Sequence, residues 1–313
     1  MAGRDKRERP GPIGFLAIDK PVEWSSHDVV DAARRWLGTR RVGHLGTLDP
    51  LATGVLPLAI RDATKLIPFV DQHEKVYAGT IRLGVATDTM DAEGKVTRSH
   101  SGALPDEAAV RTALASFEGE IEQIPPMFSS VKKDGVPLYR LARKGEEVER
   151  EPRKVTIHRI ALTSWSPPDV GIEVACSPGT YVRVLAADLG DRLGCGAHLA
   201  GLRRTGNGPF QIADCLTPAE CDELAAKGEL DGRILAPSKV LPLPQISLTG
   251  IQTRRVLNGG SIPAAEARGP YERGPQPVPG AKFSALSPSG DLLAVMELRP
   301  DRKFHPLRVF PQT

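Results

Sequence analysis

Residues 43–58 read GHLGTLDPLATGVLPL, from Gly43 to Leu58, and hold one acid, Asp49, inside a tightly constrained turn. Pro50 fixes its own φ and pushes Asp49 away from the helical region, while Gly46 and Gly54 permit left-handed backbone or close chain approach. Leu45, Leu48, Leu51, Val55 and Leu56 surround the acid in sequence. Its carboxylate is expected to be partly desolvated and to seek a specific partner, which suits nucleophilic or base chemistry. A structural account also exists, because an aspartate before proline commonly bonds its own backbone in an Asx-turn. The segment alone leaves both open.

The 313 residues are enough for a large domain and a small one, and 40% hydrophobic with 25% charged residues is the composition of an ordinary soluble protein. No apolar stretch is long enough to cross a bilayer, and the charged start MAGRDKRERP leads into no signal region, so a cytoplasmic location and no membrane partner are expected. Cys176, Cys195, Cys215 and Cys221 form no CxxC pair and no zinc spacing, which fits reduced thiols. The net charge of +3 is too small to declare a nucleic-acid binder. Basic clusters at Arg34/Arg35, Arg40/Arg41, Lys132/Lys133, 140–144, 150–154 and Arg203/Arg204 are informative only if folding gathers them on one phosphate-facing surface.

Outward from the Asp49 turn, residues 13–18 read as a buried strand. Ser25 with Asp28 makes a capping box for a helix that Gly38 ends. Strands are predicted over 55–60 and 75–83, with Tyr77 on the second, and a short helix over 63–70. Residues 86–94 form an acidic turn. Asp88, Asp91 and Glu93 lack EF-hand spacing, so turn formation is preferred to a metal site. A helix over 105–117 precedes a Pro-rich, basic arm at about 125–154. Strands over 154–164 and 169–175 flank a Ser-Pro-Pro turn, and a helix over 181–193 presents Tyr181 and Arg183 in its first turn. Strands over 197–205 and 210–213 follow, then a helix opened by Thr217-Pro218-Ala219-Glu220. Prolines at 237, 242 and 244 mark a boundary near 245. A helix over 251–257, strands over 283–286, 292–298 and 307–310, and a mobile loop over 264–280 make up the second domain. The fold class is α+β with a mixed, largely antiparallel sheet.

Several segments together resemble the bacterial tRNA pseudouridine-55 synthases of the TruB type: Asp19-Lys20-Pro21 with SSHDVV, GHLGTLDPLATGVLP, YAGTIRLGVATDTMDAEG, the arm PPMFSSVKKDGVPLYRLARKGEEVEREPRK, and SPGTYVRVLAADLG with LRRTGNGPF. The resemblance spans nearly the whole chain. It implies a charged tail over 1–12, a pseudouridine-synthase catalytic domain over 13–245 and a small β-rich, PUA-like RNA-binding domain over 246–313. The implied activity converts uridine 55 of the tRNA TΨC loop to pseudouridine by base flipping, without metal or cofactor. Asp49 would be the catalytic residue, Tyr77 would stack on the flipped uracil near carbon 5, and Arg183 would pair with Asp49. Tyr181 and Leu202 match positions that contact the target base, and His44 one that fills the space it vacates. Lys20, Lys132, Lys133 and Arg143 would contact phosphates and the folded T loop. Outside that resemblance, Tyr77 reads as an ordinary strand tyrosine, Leu202 as core and His44 as a structural histidine. The T-arm stem-loop is the expected partner, with no obligate protein partner and a monomer as the default.

Glu23, Ser25 and Leu45 depart from the usual pattern without removing a catalytic group. The competing readings are a non-catalytic RNA-binding or tRNA-folding protein, a guide-RNA-dependent enzyme of the dyskerin type, against which the arm stands, and a hydrolase, which lacks a partnered carboxylate.

Overall fold

The computed structural model describes residues 9–71, 73–270 and 277–310. Most of the expected tail, residues 1–8, and residues 271–276 of the expected loop lie outside them. The chain opens with β1 (Gly14–Lys20), α1 (Ser26–Leu37), β2 (Val42–His44), β3 (Thr53–Ile60), α2 (Ile67–Val70) and β4 (Lys75–Leu83). A hairpin of β5 (Val85–Thr87) and β6 (Val96–Ser99) leads to α3 (Glu107–Ala115) and β7 (Gly119–Gln123). The arm carries a second hairpin, β8 (Lys132–Lys133) with β9 (Val136–Pro137), and α4 (Leu138–Ala142). Then come β10 (Arg153–Ser166), β11 (Asp169–Cys176), α5 (Val182–Arg192), β12 (Ala197–Asn207), β13 (Phe210–Gln211), α6 (Pro218–Lys227) and α7 (Pro237–Val240).

Local chemistry sets these bounds. Ser25 and Asp28 form the full capping box of α1, and Gly38 ends it in the left-handed conformation at φ 58°, with such a cap worth about 1 kcal/mol. Thr217 and Glu220 cap α6 in the same way, with Pro218 in its first turn. Between 61 and 70 the chain departs from a single helix: a 3-10 turn at Arg61–Leu66 precedes α2, because Arg61 enters it at φ 55° and Pro68 falls inside the run. The strand expected over 210–213 stops at Gln211 and passes into a 3-10 turn.

Nine strands form one sheet in the order β1-β3-β12-β4-β11-β10-β7, with β2 paired to β3 and β13 to β12. Every pairing is antiparallel except β12 beside β3, where Arg203 is in register with Thr53 and Arg204 with Gly54. That one parallel contact inserts β12 between β3 and β4 and brings the Asp49 turn beside Tyr77. Period-two alternation divides the sheet's faces. Leu16 and Ile18 of β1 join the core beneath α1, α3, α5 and α6, whereas Phe15 and Ala17 join a second core on the opposite face.

The second sheet has the order β14-β16-β17-β18-β15, made of β14 (Gln245–Ser247), β15 (Ile262–Pro263), β16 (Lys282–Leu286), β17 (Leu292–Leu298) and β18 (Lys303–Val309), with α8 (Gly250–Leu257) packed on it. The last strand starts at Lys303, earlier than expected, because a register shift opposite Val295 and Met296 absorbs the His305-Pro306 interruption. The start of the expected mobile loop is tied down instead, by a 3-10 turn at Ala264–Glu266 and a bridge from Arg268 to Ser247. Leu286, Leu292, Val295 and Phe310 of this unit share the second core with Phe15, Val55 and Phe210.

Candidate active site

The loop bearing Asp49 is held from several sides. In α1, the buried Ser26 hydroxyl accepts from the Leu48 N–H at 2.8 Å and donates to the Leu48 carbonyl at 3.0 Å. From β12, Arg204 donates Nε to the Val55 carbonyl at 2.6 Å and Nη2 to the Gly46 carbonyl at 3.2 Å, and Asn207 donates to the Leu45 carbonyl at 3.1 Å. Lys20, at the end of β1, donates its ammonium to the carbonyls of Pro21 (2.8 Å), Trp24 (2.5 Å) and Pro50 (3.2 Å). Lys20 is 0% exposed, which corrects the expectation that it meets phosphate: its charge is spent on backbone, and burial pulls its pKa down to about 8. Gly54 sits at φ 100°, where a Cβ would stand 2.2 Å from the Arg204 carbonyl oxygen. Only glycine allows this crossing of β3 and β12.

So held, Asp49 lines a cleft. Its side chain is 43% exposed, yet protein surrounds it closely enough that burial pushes its carboxyl above the usual carboxylate range. Arg183 opposes that shift and Asp91 adds to it. Arg183, only 5% exposed, places Nη2 3.1 Å from Asp49 Oδ2 and Nη1 3.4 Å from Asp91 Oδ2. Its Nη2 also donates at 2.6 Å to the Phe128 carbonyl of the arm, and the guanidinium lies 5.9 Å from the Tyr181 ring. Tyr181 caps α5 and is fixed by Gln123, which accepts from its N–H at 3.0 Å and donates to its carbonyl at 3.3 Å.

Asp49 and Arg183 border a cavity of about 360 Å³ whose walls include His44, Tyr77, Tyr181, Leu202 and Arg204, a size ordinary for a small-molecule site. Tyr77 is buried in β4, in register with Arg204, while Leu202 is half-buried opposite Gly79. Burial pushes the Tyr77 phenol up, and Arg204 draws it back. His44 Nδ1 is buried without a hydrogen-bond partner, and burial followed by Arg204 lowers that ring's pKa. A second lobe of about 660 Å³ shares Asp49, His44, Ser129 and Arg183 and extends to Tyr139 and Arg143 on the arm. Arg143 therefore reaches the cleft, its guanidinium 5.6 Å from the Tyr139 ring. Lys132 and Lys133 stand exposed on the arm's hairpin outside both lobes, Lys133 donating to the Glu149 carbonyl at 3.0 Å.

Asp91, expected from sequence to be a turn acid, is one on one side: Oδ1 accepts from Thr89 at 2.5 Å and from the Glu93 N–H at 3.1 Å. The other oxygen faces Arg183, a contact across 92 positions that no local pattern announces. Asp88 accepts from the Lys95 N–H at 2.8 Å and is a turn former. Ser26, Gln123, Arg204 and Asn207 also had no local signal for their part in shaping the cleft.

A sequence model of the N-terminal domain of TruB family pseudouridylate synthases matches residues 34–182, and a model of the tRNA pseudouridylate synthase B C-terminal domain matches 183–242. The tRNA pseudouridine synthase B of Geobacter sulfurreducens is 47% identical over 247 residues, covering 79% of this chain and 81% of the relative. The chain belongs to the TruB family of pseudouridylate synthases. A Burkholderia mallei protein of the same name is 48% identical over 268 residues, 85% of each chain. Among solved structures, a Cbf5–Nop10–Gar1 complex contains a chain at TM-score 0.72 and 25% identity, aligned over 95% of this chain and 84% of that one. An H/ACA ribonucleoprotein bound to a substrate RNA containing 2′-deoxyuridine gives 0.73 at 22% identity, over 96% and 85%, a likeness of fold. In this TruB chain the Asp49 loop and Tyr77 fall in the first matched segment, and Arg183 begins the second. Neither segment reaches the five-stranded sheet.

Proposed function

We propose that this TruB-family chain isomerises uridine 55 in the TΨC loop of tRNA to pseudouridine. The observation that carries the reading is Asp49, ion-paired to the buried Arg183 in a cleft that Tyr77 also lines. A target base inside a folded loop has to leave its stack to be reached, and the cleft offers it a site lined by a carboxylate. Asp49 then acts on the ribose or the base, as nucleophile or as base. Tyr77 stacks on the uracil near carbon 5, where a proton must leave. Tyr181 and Leu202 hold the base, and His44 fills the vacated space.

The segment 13–245 forms the catalytic unit and 246–313 a PUA-like RNA-binding unit. Lys132, Lys133 and Arg143 on the arm meet the T-arm backbone. The enzyme works in the cytoplasm as a monomer, without cofactor or obligate protein partner; no described helix is long and apolar enough to span a membrane. The higher identity to proteins named for tRNA, 47–48% against 22–25% for the ribonucleoprotein structures, favours tRNA itself over a guide-directed substrate.

A T-arm stem-loop carrying tritium at carbon 5 of the target uridine tests this. The wild-type protein alone is expected to release the label, and Asp49→Asn to lose at least about 10⁴-fold in rate, as when other enzymes lose their reacting side chain. Full activity in Asp49→Asn, or no release by wild type without a guide RNA, would sink the proposal. Unchanged tRNA annealing by a wild type that never isomerises would favour the RNA-folding alternative. Loss of pseudouridine 55 from tRNA of cells lacking the protein would identify the natural target.

A further inference from the structure

Two adjacent arginines of β12 meet opposite fates. Arg203 turns outward and is neutralised by Asp19, Nη1 to Oδ1 at 3.0 Å and Nη2 to Oδ2 at 2.6 Å. Arg204 turns inward and has the largest of the fully buried side chains among the described residues. It donates to the neutral carbonyls of Val55 and Gly46, and its guanidinium also interacts with the Tyr77 phenol. Among the described residues no carboxylate comes within 4.0 Å of it. Around Gly46 the neighbouring acid is Asp71, which pairs with Lys75 at 2.9 Å. A buried charge left without a counter-ion is expensive unless something else uses it. Arg204 borders the same cavity as Asp49 and is in register with Tyr77.

The reaction has a use for such a charge. When the N1–C1′ bond breaks, its electron pair leaves with the base, so the detached pyrimidine is anionic. Carbon 5 then returns a pair to C1′, the proton on carbon 5 departs and N1 gains one, which leaves an isomer with no net change. Preorganised positive charge in a water-poor site is an effective way to stabilise such a transient anion.

We propose that Arg204 is a positioning residue for the reaction: its carboxylate-free guanidinium is a fixed positive charge behind Tyr77 that stabilises the anionic pyrimidine while it is detached. The inference rests on the isomerase reading, which wild-type tritium release tests separately. Other titratable groups within its field are Lys20 on β1, His44 on β2, Tyr77 on β4, Cys176 on β11 and Cys215. Lys75 and Asp71 complete the charged surroundings.

The test compares full-length Arg204→Met and Arg204→Lys with wild type in single turnovers on T-arm stem-loops. The target is uridine or 5-fluorouridine, whose base is a better leaving anion, and loss of the N1-linked nucleoside is read by mass spectrometry after nuclease digestion. Arg204→Met is expected to slow the uridine substrate by about 10²–10³-fold, and the 5-fluorouridine substrate by at least about 10-fold less. A merely structural role, holding the Gly46 and Val55 carbonyls, predicts equal slowing of both. Arg204→Lys keeps the charge, but a buried ammonium titrates where a guanidinium does not. Its rate relative to wild type is expected to fall between about pH 6.5 and about pH 9.5, with contributions from shared groups such as Lys20 cancelling in the ratio. If melting shows that Arg204→Met does not fold, the lysine variant decides alone, and a flat ratio across that range overturns the proposal. Equal slowing of both substrates by a folded Arg204→Met overturns it as well.

Discussion

Arg183 places its Nη2 3.1 Å from Oδ2 of Asp49, while the same guanidinium reaches Asp91 with Nη1 at 3.4 Å. One cation thus sets the charge state of the cleft against two acids. Burial and Asp91 favour the protonated form of Asp49, and Arg183 favours the ionised form. Activity that needs ionised Asp49 is therefore lost as pH falls through a pKa above the ordinary 3.8. Arg183→Met should move the acid limb of the pH–rate profile upward and reduce the rate by about 10²-fold or more. Asp91→Asn, which removes a like charge, should move that limb downward while weakening the anchorage of Arg183. Limbs that shift in the same direction in both variants would contradict this electrostatic arrangement.

Lys20 gives a prediction of a different kind, since a phosphate contact and a buried staple differ in salt dependence. Lys20→Met should leave the log–log dependence of RNA affinity on salt unchanged, whereas loss of a phosphate contact would flatten it by about one unit. The rate should fall, because the Pro50 carbonyl beside Asp49 loses its donor. Linkage adds a second signature. With a folded pKa of about 8 against 10.5 unfolded, the buried ammonium makes wild-type stability decline as pH falls from about 10.5 through about 8. Urea titrations of Lys20→Met over that range should lack this slope.

Lys132 and Lys133 are exposed on the arm and away from both lobes of the cleft. Replacing both with alanine should weaken T-arm binding and flatten its salt slope by about two units. The single-turnover rate at saturating RNA should be unaffected. A changed rate at saturation with an intact salt slope would show that the hairpin serves the chemistry instead.

Gly54→Ala should cost more than about 1 kcal/mol in urea unfolding, since the added methyl meets the Arg204 carbonyl oxygen at 2.2 Å from a backbone at φ 100°. Activity should suffer along with stability, because the displaced strand carries the Asp49 loop. Wild-type stability in this variant would mean that β3 and β12 separate more freely than their register implies.

Much of this architecture was legible because its causes are local. Ser25, Asp28 and Gly38 delimit α1 by capping chemistry, and the alternation over 75–83 gives β4 its bounds. The Asp49 turn is legible for the same reason. The burial of Lys20 is not legible in sequence, because its acceptors come partly from a turn 30 positions away, at Pro50. The sequence around Asp91 shows only its near, turn-forming side, because its far oxygen is committed to Arg183 of α5, 92 positions away. Arg203 and Arg204 look alike in sequence. Strand alternation separates them only once it is known which side of β12 is interior.

The apolar core that joins Phe15, Val55 and Phe210 to Leu286, Val295 and Phe310 makes the five-stranded sheet a structural wall of the nine-stranded one. Truncation at 245 would leave a greasy surface behind β1 and β3, the two strands whose ends carry Lys20 and the Asp49 loop. Substitutions in β16 or β17 can therefore reach the Asp49 loop through solid packing, without touching RNA.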